Sequence, residues 1–226
     1  MKNIVKIILG VAIVGVVVGG GFMLLNKKEA TSVNFGGQKV VLTNKDKSVT
    51  LDLPKVDQLA SSPVAVMGSL DLTEEQEAEI QAQREKQMEQ AESGESVDET
   101  QTDTIEDSVS GENYDAIKNQ KIKEISLNLK NNVSARYEIS DVVYTKDTLQ
   151  SISGNDNKDA VKNIKIGDVD FMYTTVKQDI EGQKPYYFYY IVSNKLESNS
   201  IFIVLSIQGS EINEKSLTDY MSAVKF

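Results

Sequence analysis

The sequence predicts an α+β domain: an antiparallel sheet of about six strands with flanking helices, preceded by one transmembrane helix and interrupted by a long acidic insertion. Three observations lead there. Ile7 to Leu25 is a run of 19 uncharged residues rich in Val, Ile and Gly. Between Glu74 and Glu112 stand fourteen acidic and two basic residues, whereas the rest of the chain carries 20 acidic and 22 basic ones. After Tyr114, apolar residues alternate in four strand-like stretches, with a helix-like pattern before them and another after them. The organisation expected is an anchor over 1–28 and a single domain over 33–226. Its core comes from 33–59 and 113–226, and 60–112 forms a partly helical or disordered insertion.

As a helix, Ile7 to Leu25 would span ~28 Å, close to the hydrocarbon thickness of a bilayer. Lys2 and Lys6 precede it, and Lys27 and Lys28 follow it. The α-amino group adds charge on the N-side, so the expected topology is single-pass, N-in, with the C-terminal domain outside a bacterial cell membrane. Gly19, Gly20 and Gly21 would also suit a cleaved signal peptide. Phe22 to Leu25 prolong the apolar run past any such cut, which favours the anchor. Gly15 and Gly19 form a GxxxG spacing, a pattern that five glycines in one run produce by chance.

Gln38 to Leu42 and Ser48 to Leu53 read as a strand pair around the turn residues Asn44 to Lys47. Val49, Leu51 and Leu53 alternate with Ser48, Thr50 and Asp52, and Pro54 ends the strand. Because an isolated hairpin is marginal in water, the pair is expected to join the C-terminal sheet. Thr73 to Glu92 reads as a helix opened by a Thr73/Gln76 capping box, but its apolar residues form no stripe. Ser93 to Glu112 has too few apolar residues to repay ordering and is expected to be disordered.

Tyr114, Ile117, Ile122, Ile125 and Leu129 suggest a helix stopped at Asn131-Asn132. Strands are expected over Val133 to Tyr144, over Ile164 to Val176 with a kink at Gly167, over Pro185 to Val192, and over Ile201 to Ile207. Asn213 is placed to cap a last helix through Leu217, Tyr220, Met221 and Val224.

That order resembles the PsbP-like α+β sandwich. The similar features are the leading strand ending in Leu53-Pro54, and Asp170 to Tyr173 running on toward Pro185 to Tyr190. Ile201 to Ile207 and a terminal helix entering Val224 to Phe226 complete them. The chain departs from that pattern in its acidic insertion and its lack of tryptophan. The resemblance implies binding or assembly roles and carries over no catalytic residues.

Composition excludes more than it proposes. There is no cysteine and no histidine, which removes thiolate chemistry, Ser-His-Asp catalysis and the commonest metal ligand. No catalytic, cofactor-binding or metal-binding residue is expected. The net charge of −10 belongs to the insertion, and no basic stripe with interleaved aromatics marks a nucleic-acid partner. Asn155 to Asp159 resembles a calcium loop but lacks the glycine and distal glutamate, so it reads as a turn. Lys215-Ser216, and Ser153 near Lys158, have no motif for a Ser-Lys dyad.

The unusual feature is Tyr186 to Tyr190, five aromatic residues in a row. On a strand, Tyr186, Phe188 and Tyr190 face one way, while Tyr187 and Tyr189 face the other. Tyr187 and Tyr189 are the candidate ligand surface, weighed against core packing. The function expected is a membrane-anchored binding or assembly module without catalysis. Its partners would be the bilayer, through Ile7 to Leu25, and another envelope protein or cell-wall component. The alternative is a carboxylate-dependent cell-envelope hydrolase, which requires a deep pocket with two convergent acids.

Overall fold

The computed structural model describes residues 33–93, 107–154 and 160–226. The Ile7 to Leu25 run and the Asn155 to Asp159 loop lie outside them. In chain order the elements are β1 (Phe35–Asn44), β2 (Lys47–Pro54), β3 (Val66–Leu70), α1 (Glu74–Ser93) and β4 (Ser108–Gly111). Then come β5 (Ile122–Leu129), β6 (Val133–Ser140), α2 (Lys146–Ser153), β7 (Lys162–Ile166) and β8 (Val169–Gln178). The chain ends with β9 (Tyr186–Leu196), β10 (Asn199–Gln208), α3 (Glu214–Ser222) and β11 (Val224–Lys225).

These strands make one curled, half-barrel sheet of eleven strands, not the six-stranded α+β arrangement expected. Its order is β11-β2-β1-β5-β6-β10-β9-β8-β7, with β3 alongside β5 and β4 outside β3. The early hairpin joins the sheet through one parallel pair, Leu42 with Ile122, and β11 lies against β2. No helix among the described residues is long and apolar enough to cross a membrane.

Three corrections explain the difference in class. First, the helix expected over 114–129 is a single 3-10 turn, Tyr114–Ile117, followed by β5. Asn119 has a φ of 66°, which no helix continues through. Beyond it Ile125, Leu127 and Leu129 are buried at every second residue, so the strand period wins over the i, i+3 coincidence of Ile122 and Ile125. Asn131 and Asn132, both left-handed, form the β5–β6 turn where a helix stop was expected.

Second, the presumed kink at Gly167 is a reversal. Gly167 takes a φ of 58° and the chain folds back at once, pairing Ile166 with Val169. One expected strand is therefore the hairpin β7–β8. Third, the ends of the 60–112 segment belong to the sheet. β3 pairs with both β4 and β5, and Val66 is fully buried. Gly68 sits so close to the core that a Cβ there would meet Ile117 Cγ2 at 3.0 Å.

Between β3 and β4, α1 has the expected capping box. Thr73 N–H donates to Gln76 Oε1 at 2.9 Å, and Gln76 N–H donates to Thr73 Oγ1 at 3.3 Å. The structure thus moves the boundaries of the removable segment inward. Replacing 74–106 by a short Gly/Ser linker is expected to leave the melting temperature within a few degrees, because ~1 kcal/mol moves a domain of this size by about 4 °C. Extending the cut through Gly111 removes β4 and is expected to lower the midpoint further. Thermal unfolding of the two deletions checks both outcomes. A loss of cooperativity in the shorter one would make α1 part of the fold.

The inner face of the curl carries the main core. It runs from Leu42, Leu51 and Leu53 through Ile125, Tyr137 and Ile139 to Ile203, Leu205 and Phe171. Helix α3 covers this face with Leu217, Tyr220 and Met221, and it touches β7 at one sheet edge and β11 at the other. Asn213 caps it, its Oδ1 accepting from Ser216 N–H at 2.8 Å. Helix α2, which the sequence reading missed, packs on the outer face with Leu149. Thr145 caps α2 and Gly154 ends it with a φ of 62°.

Candidate functional site

Strand alternation assigns every residue of β5, β6, β10, β9 and β8 to one of the two faces. The pentad on β9 divides accordingly. Tyr189 points inward and is 3% exposed; its hydroxyl accepts from Ile212 N–H at 2.7 Å. Burial pushes that phenol up to about 12. Tyr187 is half-buried and packs against the same core. The candidate pair Tyr187 and Tyr189 therefore lies on the core-facing side of the strand. The outward set is Tyr186, Phe188 and Tyr190, all half-buried.

Hydrogen-bond register lays out the outer face in rows. Arg136 on β6 stands between Ser126 on β5 and Val204 on β10, and Val204 is followed by Tyr190 and then Thr174. In the neighbouring row Glu124 is opposite Glu138, which is opposite Phe202. On the other side of the Arg136 row, Ser206, Phe188 and Val176 are aligned, and beyond them Gln208, Tyr186 and Gln178.

Helix α2 and Tyr144 cover the Phe202 end of this face. Tyr144 stacks on Phe202 with ring centroids 4.7 Å apart, and Tyr190 lies 6.3 Å from Phe202 at 14°. Half-buried Asn194 and buried Ser200 hold the loop before α2. Asn194 Nδ2 donates to Tyr144 O at 2.7 Å, and Tyr144 N–H donates to Ser200 Oγ at 3.4 Å. The other end is open, with the Tyr186 and Phe188 rings 6.3 Å apart and within 20° of parallel.

Arg136 is the charged centre of this face. One guanidinium nitrogen, Nη2, donates to Glu124 Oε2 at 2.8 Å and to Glu138 Oε2 at 2.6 Å. All three side chains are about one-fifth exposed, so the group is partly desolvated with one carboxylate in excess. Burial is the largest influence on Glu124 and raises its pKa. Arg136 opposes that, and the nearby Glu138 adds to it. These are the two convergent acids of the face, and both are engaged by the same cation.

A separate open cleft of about 330 Å³ lies between the start of β1 and the end of α3, lined by Val33, Phe35, Gly36, Asp52, Asp219, Ser222, Ala223 and Lys225. Asp52 there is held only loosely, 3.7 Å from Lys39 and 3.9 Å from Lys225. Lys215 is exposed and pairs with Asp219 at 3.8 Å, one turn along α3. Ser153 donates to Gln150 O at 2.6 Å. Among the described residues no group of three or more acids could hold a metal ion.

No protein-family model, curated protein or solved structure matches this chain.

Proposed function

We propose that this protein is a membrane-anchored binding or assembly module on the outer side of a bacterial membrane, without catalysis of its own. The observation that carries the reading is the half-open aromatic row on the outer sheet face, Tyr186, Phe188 and Tyr190, beside a partly desolvated ion-pair cluster. Aromatic rings on a rigid strand offer large contact area at small entropic cost, which is what a binding surface requires. The anchor rests on the 19-residue apolar run Ile7 to Leu25.

The hydrolase alternative draws less support. Its mechanism needs one carboxyl able to give a proton and a second free to act as base or nucleophile. Glu124 and Glu138 share the Arg136 guanidinium beside the covered end of the outer sheet face, and Asp52 sits between two lysines at the rim of a cleft.

Two measurements test the proposal. A reporter active only outside the cytosol, fused after Phe226, is expected to be active, with the protein retained in membranes at high salt. A signal from a cytosol-only reporter at that position would overturn the localisation. A photo-crosslinking amino acid at Tyr186 is expected to yield a discrete adduct in the native host, whereas one at the exposed Lys215 on α3 is not. Equal patterns at the two positions would remove the outer face as the binding surface.

A further inference from the structure

Away from the Arg136 cluster and α2, strands β8, β9 and β10 present six side chains on the outer face. They are Val176 and Gln178 on β8, Tyr186 and Phe188 on β9, and Ser206 and Gln208 on β10. Register places Phe188 between Val176 and Ser206, and Tyr186 between Gln178 and Gln208. The outermost ring is thus flanked on both sides by a carboxamide. Gln178 is exposed and the other five are half-buried. None of the six carries a charge at neutral pH, in a chain of net charge −10.

We infer that this patch binds a neutral glycan, an inference that rests on the reading of the outer face as a binding surface. A sugar ring presents an apolar C–H face and a rim of hydroxyls. Half-exposed rings cover the first. A glutamine amide meets the second with a donor and an acceptor in one group. Among the described residues, neither glutamine amide has a hydrogen-bond partner.

Charge selects against an acidic polymer. Arg136, which borders the patch, is already held by two carboxylates. The Tyr186 and Phe188 rings, with centroids 6.3 Å apart, match the extent of one or two sugar rings.

The test uses the full-length protein in mild detergent on a printed array of neutral and acidic oligosaccharides, with hits titrated by calorimetry. Neutral glycans are expected to bind and acidic ones not. Replacing both rings (Tyr186→Ala with Phe188→Ala) is expected to weaken binding about tenfold or more. The pair Gln178→Ala and Gln208→Ala guards against a folding artefact, since it is expected to weaken binding several-fold at an unchanged melting temperature. A blank array, capture of acidic glycans alone, or affinities indifferent to both pairs would each overturn the glycan assignment. A blank array together with a discrete protein adduct from the Tyr186 crosslinker would refute the glycan and keep the binding surface. A blank array without an adduct would refute both.

Discussion

Replacing Tyr189 with serine is expected to destabilise the domain by about 3–5 kcal/mol, the usual cost of truncating a fully buried ring. The residue is 3% exposed and packs in the main core, so little room exists for water to refill the space. The change also strands Ile212 N–H, which now donates to the Tyr189 hydroxyl at 2.7 Å. Phenylalanine at the same site separates the two contributions. It keeps the ring and loses only the hydroxyl, so a cost of about 1–3 kcal/mol is expected for the unsatisfied amide. Tyr187→Ser should cost less, because that ring is half-buried. Denaturant unfolding reads all three variants. A Tyr189→Ser protein with unchanged midpoint and slope would show that the strand faces are reversed.

That strand shows how far sequence reasoning reached. Alternation divided the pentad into two faces without ambiguity, since successive side chains of a strand point to opposite sides. What alternation cannot supply is the sign. Tyr186-Phe188-Tyr190 and Tyr187-Tyr189 are equally apolar, and only contacts from distant segments decide which set is buried. Here the deciding contacts come from Ile212, 23 residues away, and from the core that α3 completes. Neither is visible within a local window.

The fold class failed for a related reason. Ile122 and Ile125 are three apart and fit one helix face, yet Ile125, Leu127 and Leu129 fit a strand equally well. Pairing with β3 and β6, which sequence proximity alone does not reveal, decides for the strand. The short strand β4 was hidden because few of its residues are apolar. Ser108 to Gly111 contributes only Val109 to the core, and its order comes from backbone pairing with β3. By contrast, features encoded within four residues were legible. The Thr73/Gln76 box and the Asn213 cap depend on side chains adjacent to the amides they satisfy.

The ion-pair cluster was missed altogether, because Glu124, Arg136 and Glu138 meet only once β5 and β6 pair in register. It carries the second large expected effect. Arg136→Met leaves two carboxylates about four-fifths buried without their common cation. Breaking a buried pair in this way costs about 3–5 kcal/mol, and the remaining exposure lowers the expectation to about 2–4 kcal/mol at neutral pH. The loss should shrink in acid, because protonating the stranded carboxylates removes the uncompensated charge.

Glu124→Gln should behave oppositely. In the native protein burial outweighs Arg136 and raises the Glu124 pKa above its unfolded value. The folded state therefore binds this proton more tightly than the unfolded one. The associated stability is fully present below the unfolded carboxylate pKa and is lost as pH rises through the higher folded value. A neutral amide removes the desolvated charge and leaves Arg136 its partner Glu138. Stability at pH 7 should then hold or rise, with a flatter profile through the carboxylate range. Urea unfolding of both variants from pH 4 to 8 measures the profiles. If Arg136→Met costs the same at pH 4 as at pH 7, the carboxylates are not what the arginine compensates, and its role on the face is packing alone.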